Sequence, residues 1–200
     1  MAKLIYVTNT SLDGYIEDEH GAFDFGPPDD EVFAATTDLL RTVGTHLYGR
    51  RLYESMAVWE NDEVIAQMER GRASGLIADF ATVWQAADKV VYSTALPAVS
   101  TARTRLERRF DPTAVQELKA AATSDLIVGG ANLAAQAFAA GLVDVYHLFV
   151  WPMVVGAGKP ALPTEGQAAL ELLDERRFRN GVVLLRYRPL GRDVRRDGDN

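Results

Sequence analysis

The sequence predicts an α/β protein: a mixed, mainly parallel sheet covered by helices, with an antiparallel edge near the C-terminus. Two observations carry this prediction. Short apolar runs rich in β-branched and aromatic residues alternate with helix-like stretches along most of the chain. The last two runs, Val145 to Val150 and Val182 to Tyr187, have only irregular sequence between them, which suits an antiparallel edge. Internal repeats and linker-like composition shifts are absent, so residues 1–190 read as a single domain and 191–200 as a flexible charged tail.

Taken in order, Lys3 to Thr8 is a buried strand because every second position and its neighbour are apolar. A long polar loop is expected from Asn9 to Asp30, with Gly14, Gly21, Gly26, Pro27 and Pro28; loops of that length are usually functional. Asp29, Asp30 and Glu31 then open a helix whose apolar stripe is Val32, Phe33, Leu39 and Leu40. Thr45 to Tyr48 is a strand ended by Gly49, and Arg50 to Met56 a short helix, followed by mixed helix and loop from Ala57 to Gly75. Ile77 to Ala87 is apolar but interrupted by Asp79 and Gln85, and Lys89 to Tyr92 is a firm strand. A further short strand is expected at Val99 to Arg105 and a helix at Pro112 to Ala122, with the proline in its first turn. Leu126 to Val128 ends in Gly129-Gly130, after which Asn132 to Ala140 is a small-residue helix closed by Gly141.

Composition narrows the function. Hydrophobic residues at 48% with 24% charged give a globular chain with a core, which excludes disorder and bare coiled coil. A formal charge of −7 repels phosphate backbones and anionic membranes, so neither nucleic acid nor membrane is expected as a partner. With no cysteine there is no disulfide and no thiolate chemistry. No apolar run has membrane-spanning length, and the N-terminus enters strand-like sequence directly, so a cytoplasmic location is expected. His20, His46 and His147 stand alone without metal-ligand spacing, so no metal is expected, and no serine sits in a G-x-S-x-G elbow.

The informative constellation is three strand ends followed by glycine or small hydroxyl residues: Tyr48-Gly49-Arg50, Tyr92-Ser93-Thr94 and Val128-Gly129-Gly130-Ala131-Asn132. A glycine turn leading into a helix lets backbone N–H groups approach an anion, and Arg50 adds a planar cation, so together they read as a phosphate-bearing nucleotide site. Each turn alone could simply close its strand. Two look-alikes fail. Gly129-Gly130-Ala131-Asn132-Leu133 lacks the spaced glycines of a dinucleotide fingerprint, and Gly156-Ala157-Gly158-Lys159-Pro160 has proline where a P-loop needs Ser or Thr. Carboxylates remain for proton chemistry. Asp13 lies in the long loop and Asp29 at the helix start, where a carboxylate can face a nitrogen heterocycle or merely cap the helix.

Ser11-Leu12-Asp13-Gly14-Tyr15-Ile16, Tyr48-Gly49-Arg50-Arg51-Leu52-Tyr53-Glu54, Asp88-Lys89-Val90-Val91-Tyr92-Ser93 and Val128-Gly129-Gly130 through Gly141-Leu142-Val143-Asp144 occur in the order seen in dihydrofolate reductase-like proteins. More narrowly, the chain resembles the reductase domain of riboflavin biosynthesis, the RibD C-terminal domain, over residues 3 to 188, with Pro152 to Pro160 matching its late loop. The resemblance implies a three-layer αβα fold and an NADPH site. Gly49, Arg50 and Arg51 would serve phosphates, Ser93 and Thr94 the adenosine 2′-phosphate side, and Val128, Gly129, Gly130, Asn132 and Leu133 the pyrophosphate and nicotinamide. Asp13 and Asp29 would be the catalytic, substrate-side acids, and the loop from Asn9 to Asp30 a lid.

The chain departs from the pattern at Leu52, where dihydrofolate reductases carry threonine, and at Val128, where riboflavin-pathway reductases carry glutamate; their D-x-P-x-L segment is missing, and Val145 replaces the last acid of L-V-D-E. The reading is an NADPH-dependent reductase of a small planar nitrogen heterocycle, similar to the 5-amino-6-(5-phosphoribosylamino)uracil reductase of riboflavin biosynthesis, whose substrate is by resemblance a pteridine or the riboflavin-pathway aminopyrimidine. Dihydrofolate reductase activity and a non-catalytic NADP(H)-binding protein are the alternatives. The apolar C-terminal strands suggest a homodimer.

Overall fold

In the computed structural model, which describes residues 1–22, 25, 29–70, 72, 75–162 and 168–190, the first apolar run becomes β1, Leu4–Ser11. Gly26, Pro27, Pro28 and the tail at 191–200 lie outside the described residues. β1 is apolar on both faces, with Leu4 and Tyr6 entering one core and Ile5 the other, so it sits inside the sheet rather than at an edge. After β2, Tyr15–Asp18, the strands β3 (Val43–Gly49), β4 (Asp88–Tyr92), β5 (Thr104–Glu107), β6 (Asp125–Gly129) and β7 (Val145–Trp151) pair with β1 and one another in parallel. β8 (Gly158–Pro160) pairs with β2, while β9 (Leu170–Arg177) and β10 (Val183–Pro189) complete the main sheet as antiparallel strands. The eight-stranded order is β5-β4-β3-β6-β1-β7-β10-β9.

Helices form layers on both faces, as the resemblance implies. One layer holds α1 (Asp30–Arg41), α2 (Arg50–Met56), α3 (Asp62–Glu69) and α4 (Leu76–Ala86); Leu40, Tyr53, Phe80 and Trp84 pack there on Ile5, Tyr48 and Val91. The other holds α5 (Pro112–Ala121) and α6 (Ala131–Ala139), whose Val115, Leu133 and Ala137 meet Leu4, Leu47 and Val128. Local chemistry fixes the ends. The Asp29 carboxylate accepts from the Glu31 N–H at 2.8 Å and Asp111 caps α5 ahead of Pro112, while Gly141, at φ 67°, follows α6. At the far end of α4, the buried Lys89 ammonium donates to the Trp84 and Ala87 carbonyls, a cation at the negative end of the helix dipole.

Three sequence expectations are corrected, and one stretch to which the sequence assigned no element, Ile77 to Ala87, is placed. The loop expected from Asn9 to Asp30 instead begins with the last residues of β1 and contains β2. Its partner β8 lies some 140 residues later, too far for a local pattern to announce, and that pair depends on Gly158, where a Cβ would overlap the Glu17 carbonyl oxygen and φ is 148°. Ile77 to Ala87 is helix α4, with Ile77, Phe80, Ala81 and Trp84 buried along one stripe and Asp79 turned out to Arg41. The strand expected from Val99 to Arg105 lies later, at Thr104–Glu107. Ser100 and Thr101 are instead held in a loop by the Tyr53 hydroxyl, which accepts from their N–H groups at 2.7 and 3.2 Å. The stretch before the final strand is not wholly irregular, because Leu170–Arg177 forms β9. It carries little apolar alternation, being an exposed edge aligned by cross-strand Arg186–Asp174 and Arg188–Glu171 ion pairs.

Candidate functional site

β1 and β6 part company after the Tyr6–Val128 pair. β1 continues along β7 as far as Ser11–Trp151, whereas β6 ends at Gly129 and turns at Gly130 into α6. The strand order also reverses here, because β3, β4 and β5 spread to one side of β1 and β7 lies on the other. A crevice at the carboxyl ends of strands at such a switch point is where open α/β sheets bind ligands.

One wall of the crevice is glycine. Gly49 and Gly130 precede α2 and α6, and neither helix start has a side-chain cap. The two turns adjoin: a Cβ on Gly130 would stand 4.0 Å from the Gly49 nitrogen, and one on Gly49 would stand 4.0 Å from the Leu133 Cβ. Uncapped N–H groups at two neighbouring helix starts, with glycine backbone where they adjoin, fit the diphosphate of a dinucleotide. Arg50 stands at this wall but is paired with Glu54 at 2.9 Å, an exposed i,i+4 pair that an anion can reorganise cheaply. Leu52 lies across Gly129, so close that a Cβ on Gly129 would collide with its Cδ2.

The other residues that the resemblance assigns to the cofactor spread outward from this wall. Val128 and Leu133 are buried in the core, so they can offer a ligand only backbone or packing support; Asn132 is exposed on the first turn of α6. Ser93 and Thr94 follow β4, one strand beyond β3. The Ser93 Oγ accepts from the Ala95 and Leu96 N–H groups, and Arg108 knots the loop by donating to the Ser93, Leu96 and Pro97 carbonyls. Arg51 points elsewhere, toward Glu17 at 3.4 Å, in a polar cleft of about 550 Å³ that it shares with His20 and Lys159.

The acids are separated by the fold. Asp29 uses one carboxylate oxygen as the α1 cap, and its second has no partner among the described residues. Its neighbours are engaged: Asp30 with Arg72 at 3.0 Å, and Glu31 with Arg176 at 3.2 Å and Arg179 at 3.6 Å. One turn into α1, Val32 packs in a cluster with Phe149, Trp151 and Phe178, which sets the start of α1 over the carboxyl end of β7. Sequence reasoning did not single out Trp151, which stacks on Phe25 at 5.8 Å and donates from Nε1 to the Asn9 Oδ1 at 2.9 Å, nor Asn9 and Arg108. A tryptophan ending a strand was the available signal.

Asp13 is bound by backbone. Its carboxylate accepts from Gly156 N at 2.7 Å and from Val155 N at 3.1 Å, fastening the β1–β2 turn to the loop after β7. A hydrogen bond from the Ser11 hydroxyl, together with these N–H groups, pulls its pKa down to about 2. A carboxyl so depressed stabilises the fold above its ordinary value and ceases to do so as pH falls through the lowered one. Asp13→Asn should therefore flatten the pH dependence of the thermal midpoint between about pH 4 and 2 relative to the parent; parallel curves would show that the latch is thermodynamically silent. The two buried histidines act earlier. Burial, with the Lys89 charge, takes His46 down to about 3, and burial with the Arg186 charge takes His147 down to about 4, so both cost stability from about pH 6.5 downward.

The model of the family described as "RibD C-terminal domain" matches residues 2–184. The chain belongs to the RibD C-terminal domain family. A Bacillus subtilis member, the uncharacterized protein YyaP, is 27% identical over 199 residues, covering 92% of this chain and 94% of its own. Among solved structures, a Shewanella sp. PV-4 protein provisionally assigned to riboflavin biosynthesis superposes with a TM-score of 0.71 at 19% identity, covering 95% of this chain and 99% of that one. The diaminohydroxyphosphoribosylaminopyrimidine deaminase/5-amino-6-(5-phosphoribosylamino)uracil reductase of Thermotoga maritima gives 0.61 at 13% identity, covering 94% of this chain and 57% of that longer one. A pyrimidine reductase-like protein of Corynebacterium diphtheriae gives 0.59 at 14% identity over 94% and 92% of the two chains. These likenesses bear out the dihydrofolate reductase-like three-layer fold of this RibD C-terminal domain protein.

Proposed function

We propose that this protein is an NADPH-dependent reductase that passes a hydride to a small planar nitrogen heterocycle of the aminopyrimidine kind. The observation that carries the reading is the glycine wall at Gly49, Gly129 and Gly130, where two uncapped helix starts meet at the switch point of a RibD C-terminal fold. Bound there, NADPH supplies the hydride. The chain's own residues do the rest. The N–H groups opening α2 and α6 hold the diphosphate, Arg50 exchanges Glu54 for phosphate oxygens, and the Ser93–Pro97 loop with Arg108 receives the adenosine end. On the substrate side, the Asp29 oxygen that the helix cap leaves unused holds a ring N–H and positions the proton that must accompany the hydride. The Trp151–Phe25 stack offers a flat apolar surface that excludes water from that edge. As for assembly, the open edge of β9, with Leu172 and Leu173 exposed, suits a homodimer of this soluble, cytoplasmic enzyme.

Titration of the purified protein with NADPH and NADH, followed by nicotinamide fluorescence, tests the reading. Micromolar NADPH affinity with at least about tenfold preference over NADH is expected, since the preference reads the 2′-phosphate contact. Binding of neither nucleotide would overturn the proposal. One observation favours a second reading, a protein that binds NADP(H) without turning it over: Val128, which stands where riboflavin-pathway reductases carry a glutamate, is fully buried in the core and offers no carboxylate to a substrate. Tight NADPH binding with no oxidation across a panel of pterins and aminopyrimidines would establish it, and oxidation with dihydrofolate, blocked by an antifolate, would instead mark a dihydrofolate reductase.

A further inference from the structure

Asn9 belongs to neither the core nor the glycine wall. It lies near the carboxyl end of β1, two residues beyond Val7 and so on the same face, the one covered by α1. It also lies past the Tyr6–Val128 pair, where β1 has already separated from β6 and borders the crevice. Its carboxamide is not free to rotate without loss. The Trp151 indole nitrogen can only donate, and it donates to Asn9 at 2.9 Å, so the oxygen of the amide faces Trp151 and the NH2 faces away. Trp151 is itself held by burial and by Phe25 stacked on its ring at 5.8 Å. The outcome is a half-buried amide whose oxygen already accepts from Trp151 and whose two N–H donors have no acceptor among the described residues.

We infer that Asn9 selects the substrate: its NH2, aimed by Trp151, donates to a ring carbonyl oxygen, so the crevice takes an oxo-substituted heterocycle in preference to one bearing an amino group at that position. The inference deepens the reductase reading above and rests on it. The physical basis is asymmetric. A carbonyl oxygen meeting the fixed NH2 makes a hydrogen bond, whereas an exocyclic amino group sets donor against donor and leaves both unsatisfied in a partly dehydrated crevice. Fixing the amide beforehand also spares the entropy of ordering it on binding. Aspartate at this position presents only acceptors, so it should invert the choice, provided that Trp151 still takes one of its oxygens.

The test compares the parent, Asn9→Asp and Trp151→Phe, each saturated with NADPH, for calorimetric binding of 5,6-diaminouracil, which carries ring carbonyls, and of 2,4-diaminopyrimidine, which carries amino groups in their place. NADPH affinity is measured separately by nicotinamide fluorescence. The parent is expected to favour the uracil by at least about tenfold, and Asn9→Asp to lose at least about tenfold on the uracil and to favour the diaminopyrimidine. Trp151→Phe keeps an aromatic ring against Phe25 but frees the amide, and should shrink the preference to a few-fold with NADPH affinity unchanged. Should Asn9→Asp fail to fold, the Trp151→Phe ratio decides alone. Parental NADPH binding with an unchanged uracil-to-diaminopyrimidine ratio in the variants, a parental preference for the diaminopyrimidine, or binding of neither ring would overturn the inference and leave the reductase reading standing. Failure of the parent to bind NADPH would overturn both.

Discussion

Asparagine in place of Asp29 is expected to lower kcat for NADPH oxidation on the order of 100-fold, the scale of a lost general acid or base, with NADPH affinity and folding close to the parent's. The expectation rests on a division of labour within one carboxylate. One oxygen caps α1 by accepting from the Glu31 N–H, and the other has no partner among the described residues. Asparagine caps a helix about as well as aspartate does, so the substitution removes the ionisable oxygen while keeping the cap. Asp29→Ala removes both and should in addition cost about 1 kcal/mol of stability, read as a lower thermal midpoint. The pair of variants therefore separates chemistry from architecture: equal kcat in Asp29→Asn and parent, with the heterocycle the parent reduces, would take Asp29 out of the mechanism. Neither Asp30 nor Glu31 is an equivalent choice, because ion pairs to Arg72, Arg176 and Arg179 engage them.

That assignment could not be made from the sequence, where three adjacent acids at a helix start look alike. They are told apart only by Arg72, and by arginines of β9 and the turn that follows it, more than 140 residues away in the latter case. The same distinction runs through the fold. Parallel strands with both faces buried, such as Leu4–Ser11 and Asp125–Gly129, declare themselves as short apolar runs, and glycine turns mark their ends. β2 and β8 are short and pair with one another across most of the chain, which no local pattern reveals; β9 pairs with the strand that directly follows it, but as an exposed polar edge it lacks the apolar run that would announce it. At the site, the glycine wall was readable because the glycines that make it stand at strand ends in the sequence itself. Asn9 was not, since its meaning comes from a hydrogen bond to Trp151, which lies 142 residues later.

Alanine at Gly130 is expected to weaken NADPH binding by at least about 100-fold, because two independent demands meet at that residue. The first is conformational: Gly130 has φ 90° and ψ 120°, a region that a side chain enters only at a cost of about 1–3 kcal/mol, so the turn from β6 into α6 would relax toward another path. The second is space. The new Cβ would stand 4.0 Å from both the Gly49 nitrogen and the Leu52 Cβ, inside the gap between the two helix starts, where the diphosphate needs direct access to N–H groups. Gly141→Ala supplies the control. Gly141 also has positive φ, 67°, but it follows the other end of α6 with nothing near its Cβ, so alanine there should lower stability by about 1 kcal/mol and leave NADPH affinity unchanged. Measured side by side, thermal midpoints report the backbone strain and fluorescence titration reports the site. If Gly130→Ala bound NADPH as tightly as Gly141→Ala does, the glycine wall would be a device of folding alone and the cofactor would have to be sought elsewhere in the crevice.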